Sequence, residues 1–384
     1  MIKCNLEGQE MSMIKKMELE ATKISGTVSL AQWVPWYNIP PQIVDSVIQK
    51  ITGWQTNRYS IVPGIVPLRE QVAIRYFKKY WVEIDFVNEM IITAWAIQAI
   101  SALLLTILQE QDEVVLIDPC YASYNGCIKI AKWNPVYVAL DVNLDLDVES
   151  IKKAITPETK AIVIANPNNP TGSIFSLEKF KEILDYISGR DIFLVIDEVY
   201  EEFIYDWQSF DSGIKLYEQY KSNLIIINSW SKSFGMTGWR VWYLIAQAAL
   251  TKEILKIHDS LITCAPVHSQ WAALASFEIY DEWTAKVRKE LQDCRDYAVK
   301  RLDKLKDYLE FHRPWAAYFV FPRFRYTDDD LGECMKILHE AKLSLVPGGG
   351  FGPRWVWHFR ICFGRDFPDL KEWFDRLENY LLKK

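Results

Sequence analysis

Between residues 90 and 245 one pattern repeats: a short unbroken apolar run, then a stretch of amphipathic helical periodicity. The runs are Met90–Thr93, Glu113–Ile117, Val136–Ala139, Ala161–Ala165, Phe193–Ile196, Leu224–Asn228 and Val241–Ile245. A strand with one wet face would alternate apolar and polar residues. Runs without alternation fit strands covered on both faces. Helical patterns such as Ala96–Gln109 and Leu177–Ile187 lie between them. The pattern predicts an α/β fold with a mostly parallel seven-stranded sheet covered by helices.

The rest of the chain reads differently. Ala265–Tyr308 is helical and charge-rich, and Lys286–Lys306 predicts one long exposed helix. A short strand at Ala317–Phe321, a Pro/Gly loop at Pro347–Pro353, a last strand near His358–Cys362 and a closing helix follow. We expect an N-terminal arm over 1–45, a large domain over 46–285 and a smaller α+β domain over 286–384; a chain of 384 residues has the length for this. A net charge of −6 argues against nucleic acid or an acidic membrane surface as partner. The opening MIKCNLEGQEMSMIKK lacks the apolar core of a secretion signal. The longest apolar stretch, around Ala102–Leu108, is far short of the ~20 residues that span a bilayer. Seven cysteines without CxxC spacing read as reduced thiols of a cytoplasmic protein, not as disulfides or a metal site.

Three segments carry chemistry. Ser229-Trp230-Ser231-Lys232 follows a buried strand and runs on to Gly238-Trp239-Arg240. A lysine held among small hydroxylated residues in a dry pocket has a depressed pKa and becomes a nucleophilic amine. Arg240 offers a planar fork to a phosphate, and the Ser229 hydroxyl adds a donor. Asn166-Pro167-Asn168-Asn169-Pro170-Thr171-Gly172 also follows a strand, and alone would be a turn. Asp197-Glu198-Val199-Tyr200 places a carboxylate at a strand's C-terminal end, where α/β sheets bind ligands.

In this order the three segments resemble the class I/II aminotransferases, the aspartate aminotransferase-like branch of the fold-type-I pyridoxal-phosphate (PLP) enzymes. The resemblance extends to Tyr59 before Pro63-Gly64, to Pro119-Cys120-Tyr121 and to Arg360 in Phe359-Arg360-Ile361. It implies the PLP transferase fold, with PLP as cofactor. Lys232 would hold the cofactor as a Schiff base and, once released, move the proton. Asp197 would keep the pyridine nitrogen protonated, making the ring an electron sink. Asn169 and Tyr200 would bond the ring oxygen, and Tyr121 would stack on the ring. Ser229, Arg240 and the backbone of Ala96 and Ile97 at a helix N-terminus would bind the phosphate. Tyr59 would reach the partner's phosphate, so a homodimer is implied. Arg360 would grip the substrate carboxylate, with Asn169 and position 33 beside it. The implied reaction moves an amino group from an L-amino acid to a 2-oxo acid, 2-oxoglutarate foremost. A C–S β-lyase, or a non-catalytic PLP-binding relative, remains compatible with the same residues. Some aspartate-preferring relatives place a lysine where Ile97 stands, which favours a neutral or aromatic donor here.

The chain departs from the family at glycines. Trp33, Trp95, Trp133, Trp207, Trp242, Trp315, Trp355 and Trp357 stand where the family usually has glycine. Trp33 matches a glycine whose amide approaches the substrate, and Trp95 sits in the phosphate turn. Glycine numbers 16, as does tryptophan, whereas ordinary usage would give roughly 27 glycines. UGA is read as glycine in some bacterial lineages and as tryptophan under other codes. We therefore expect most of this set to be glycine in the native protein, with strain at left-handed backbone positions as the physical sign.

Overall fold

A computed structural model describes residues 11–131 and 133–384. The first ten residues of the expected arm lie outside the described residues. The arm contains helix α1 (Met13–Thr22) and a short strand, β1 (Val28–Ser29). After α2 (Pro41–Thr52) and α3 (Val66–Tyr80), the apolar runs become seven strands of one sheet. These are β2 (Met90–Thr93), β3 (Glu113–Asp118), β4 (Asn134–Ala139), β5 (Thr159–Ala165), β6 (Phe193–Asp197), β7 (Leu224–Ser229) and β8 (Trp242–Ile245). Helices α4 (Ala96–Ile107) and α5 (Ala122–Ile130) fall between the first three.

The sheet order is β2-β8-β7-β6-β5-β3-β4. The five strands β4, β3, β5, β6 and β7 are parallel. β8 runs antiparallel to both β7 and β2. Its connection from β7 holds only one helical turn, Trp230–Ser233, rather than a crossover helix, so the chain returns the way it came. Alternate residues go to opposite faces, and both faces are buried. Leu116, Val163 and Val195 pack on the α4 side with Ala99 and Leu103. Val115, Ile162 and Leu194 pack on the other side with Phe180 and Leu184. This is why the runs show no alternation.

The C-terminal part holds β9 (Leu309–Glu310), β10 (Phe319–Val320), β11 (Arg323–Phe324), β12 (Leu343–Ser344), β13 (Val346–Pro347) and β14 (Phe359–Cys362). β14 lies between β10 and β13, antiparallel to each. β1 pairs in parallel with β12, which ties the N-terminal arm to this part.

The long helix differs from expectation. It spans Tyr280–Asp303 rather than 286–306, so a 285/286 division falls inside it. It is also not simply exposed: Thr284, Val287, Leu291, Arg295 and Ala298 form a buried stripe. Arg295 tolerates burial because Nη2 donates to Asp206 Oδ1 at 2.7 Å and Nη1 to the Pro314 carbonyl at 2.9 Å. Among the described residues no helix is long and apolar enough to cross a membrane. The six described cysteines are free.

The tryptophans need a correction. Of the eight at family glycine positions, only Trp207 has a left-handed backbone, with φ +58°. Backbone strain therefore does not single out the other seven. Two tryptophans outside that set do carry it: Trp54 and Trp81, each with φ +60°. Trp54 follows α2 and its Gly53 cap, and Trp81 is the residue that caps α3. That is where a chain usually turns left-handed to end a helix, and where glycine is favoured. All three indoles project into solvent, at 75%, 79% and 104% exposure for Trp54, Trp81 and Trp207.

Candidate active site

The parallel strands end on a cavity of about 550 Å³. Ala165 closes β5, Asp197 closes β6, and the turn after β7 supplies Ser231 and Lys232. This is the edge where open α/β sheets take ligands. From the C-terminal part come Tyr318, Phe319 and Arg360, and from the arm come Ile14, Lys15 and Trp33.

Asp197 is buried. Its Oδ2 accepts from the Tyr124 hydroxyl at 2.7 Å, and its Oδ1 from the Val199 amide at 3.4 Å. Burial pushes its carboxyl up to about 6, against the pull of those two donors and of Lys232. Burial also pushes the Lys232 amine down to about 8; Arg240 and Arg360 add to this, while Cys362 and Asp197 oppose it. A lysine in that state supplies a neutral amine far more readily than a solvated one.

Asn169 links two parts of the site. Its Nδ2 donates to the Tyr200 hydroxyl at 3.4 Å, while its Oδ1 accepts from Arg360 Nη1 at 3.0 Å. Arg360 Nη2 donates to the Ala31 carbonyl at 2.5 Å. The guanidinium lies 4.4 Å from the Phe319 ring centroid and 4.9 Å from that of Phe351. Its Nε has no partner among the described residues, so part of its donor fork is unused.

At the opposite end, Ala96 and Ile97 open α4 and line the cavity, so the helix N-terminus faces it. Arg240 lines the same corner with a left-handed φ of +61°. Strain of that kind in a non-glycine residue is typical of functional sites. Tyr121 also lines the cavity and meets Tyr124 edge-on at 5.5 Å.

Two expected residues sit elsewhere. The Ser229 hydroxyl caps the turn beyond β7, accepting from the Ser231 amide at 2.8 Å, and does not line the cavity. The Ser231 hydroxyl, passed over in the sequence, lines it without a partner among the described residues. Tyr59 is on the surface, 84% exposed, away from this chain's own cavity. Tyr124, Tyr318 and Thr237 were also missed. Tyr124 had a usable signal: it follows Tyr121 by three residues at the start of a helical stretch, so both face one side.

The two tryptophans reach into the site as expected. The Trp33 ring lies 5.4 Å from Lys232 Nζ and stacks on Tyr318 at 4.9 Å. The Trp95 ring lies 4.5 Å from the Arg240 guanidinium, at the α4 N-terminus.

Four cationic side chains, Lys15, Lys232, Arg240 and Arg360, line the cavity against one carboxylate, Asp197. That excess suits a ligand with a phosphate at one end and a carboxylate at the other. The lone carboxylate, buried and held by two donors, suits a cationic nitrogen. The polar groups therefore fit PLP together with an amino acid.

Comparison with known proteins agrees. The family described as "Aminotransferase class I and II" matches residues 28–377. The chain is 33% identical to a "Probable N-acetyl-LL-diaminopimelate aminotransferase" of Bacillus subtilis, covering 98% of this chain and 94% of that one. It is 31% identical to "Aromatic-amino-acid aminotransferase 2" of Thermococcus litoralis, covering 99% and 98%. N-succinyldiaminopimelate aminotransferase from Mycobacterium tuberculosis superposes with a TM-score of 0.92 at 26% identity, covering 99% and 100%. The chain belongs to the class I and II aminotransferases and is a PLP-dependent aminotransferase of that family.

Proposed function

We propose that this aminotransferase takes the amino group of a neutral or aromatic L-amino acid and passes it to 2-oxoglutarate in two ping-pong half-reactions. The observation that carries the reading is one cavity that gathers Lys232, its amine lowered by burial, with Asp197 and an Arg360 whose Nε has no partner among the described residues. PLP, when bound, supplies the electron sink that lets the substrate Cα lose its proton. Lys232 would anchor it covalently and then serve as general base and acid for the Cα proton. Asp197 would hold a positive charge on the ring nitrogen. Asn169 and Tyr200 would bond the ring oxygen, and Tyr121 would pack against the ring. Arg240, Ser231 and the α4 N-terminus would hold the phosphate. Arg360 orients the substrate through its carboxylate, which fixes Cα near the lysine. Tyr318 and Phe319 give an aromatic wall beside it, and Ile97 offers no charge for a distal carboxylate.

The exposed Tyr59 serves the partner's cavity, so the working unit is a homodimer. Free cysteines fit a cytoplasmic protein.

A panel of amino-group donors against 2-oxoglutarate, read as glutamate formed, tests the reading. Neutral and aromatic donors should lead, and the rate should vanish in Lys232→Ala. Pyruvate and ammonia released from a cysteine conjugate without any acceptor would show a lyase instead.

A further inference from the structure

We propose that Tyr124 is a positioning residue for Asp197: its hydroxyl keeps the carboxylate ionised and aimed at the ring nitrogen. The inference rests on the aminotransferase reading, because it gives Asp197 its task.

The geometry is specific. Tyr124 lies in the first turn of α5, 1% exposed, and its hydroxyl reaches Asp197 Oδ2 at 2.7 Å. Burial holds the phenol well above its ordinary pKa, so it stays protonated and can only donate to the carboxylate. The Val199 amide holds the other oxygen less closely, at 3.4 Å. Together the two donors hold both oxygens of a carboxylate that lines the cavity.

The direction of the effect follows from charge. Asp197 is in a dry place that favours the neutral acid. A proton shared between this carboxyl and a pyridine nitrogen goes to whichever is the stronger base. Each donor to the carboxylate weakens it as a base and leaves the proton on nitrogen. Tyr124 is the shorter of the two contacts, so it contributes most to that choice. A phenol meeting a carboxylate at this distance is a charge-assisted bond, stronger than a neutral one. A residue that only filled space would not need the oxygen.

Tyr124→Phe tests this, because it removes the oxygen and keeps the ring. In the cofactor-free protein with ¹³C-labelled aspartate, the Asp197 titration should move upward by about one pH unit, the scale of a lost bond to a charged group. In protein loaded with ¹⁵N-PLP, the ring-nitrogen resonance should move toward the unprotonated form. In turnover, kcat should fall by roughly tenfold while KM for the amino donor stays put, since Arg360 is untouched. Placing 3-fluorotyrosine at 124, a stronger donor of nearly the same shape, should move both resonances the opposite way and covers the case where the phenylalanine variant folds poorly. An unmoved Asp197 titration in cofactor-free Tyr124→Phe would overturn the proposal whatever the enzyme does. A moved titration in a protein that never binds PLP would leave Tyr124 assigned and overturn the aminotransferase reading instead.

Discussion

Replacing the three left-handed tryptophans with glycine should stabilise the protein. A non-glycine residue at φ near +60° costs roughly 1–2 kcal/mol, and Trp54, Trp81 and Trp207 all sit there. Two terms oppose the gain. Glycine loses about 0.5–1 kcal/mol more backbone freedom on folding. Trp81 also gives up an edge contact with Phe77 at 5.6 Å, which contributes about 0.5–1.5 kcal/mol. Little else is lost, because the three indoles are almost wholly in solvent. The balance for the triple variant is a gain of about 1–2 kcal/mol. The same change at ordinary helical positions would lose roughly 0.5 kcal/mol per site, so the sign decides. Denaturant unfolding at one fixed protein concentration reads it. Trp373→Gly, in the fully buried core, is the contrast and should cost about 3–5 kcal/mol. A triple variant less stable than the parent would refute the strain argument. The gene gives an independent answer. UGA codons at Trp54, Trp81 and Trp207, and at Trp33, Trp95, Trp133 and Trp242, with UGG at Trp239, would make these positions native glycines. UGG throughout would make them genuine tryptophans.

Other outcomes follow from the site. Imine formation between the protein and PLP should rise with pH around a midpoint near 8, because Lys232 must be neutral to react; a midpoint at the ordinary lysine value, or a borohydride-reducible link surviving in Lys232→Ala, would remove Lys232 from its role. Asp197→Ala should collapse turnover by roughly a hundredfold or more even with cofactor bound, whereas Arg360→Ala should act mainly on substrate KM; equal mild effects would contradict both assignments. Sedimentation should find a dimer, and Tyr59→Phe should weaken PLP binding although Tyr59 faces away from its own cavity; a fully active monomer excludes this.

The large sheet was legible because burial on both faces writes the same apolar run into each strand. The expected strands ended one residue short, at Ile117, Ile196 and Asn228, so they missed Asp118, Asp197 and Ser229, which still pair in the ladder. Of those polar strand ends Asp197 lines the cavity. The chain-local motifs around Lys232, Asp197 and Asn169 were readable because each occupies one segment. The spacing from Tyr121 pointed Tyr124 to the same side, but its bond to Asp197 was not readable, since the two lie 73 residues apart. Ser231 and Ser229 could not be told apart because which hydroxyl turns inward depends on how the helical turn is capped. The tryptophan set was placed by family pattern, which finds glycine positions but not backbone angle. That is why Trp207 was named while Trp54 and Trp81 were missed.

The pairing of β1 with β12 sets the order in which the protein can be completed on the ribosome. Val28 and Ser29 need Leu343 and Ser344, and the Leu30 carbonyl needs the Cys362 amide. At roughly 5–20 residues per second, the arm waits on the order of 15–60 s for its partners. The wait costs little in closure free energy, since each doubling of a loop adds only about 0.6 kcal/mol. It does leave Ile14, Met17 and Leu30 without the cover they have at the end, so the nascent arm is where a holding chaperone would bind. It also means that Arg360 and the Ala31 carbonyl meet only after the last strand emerges.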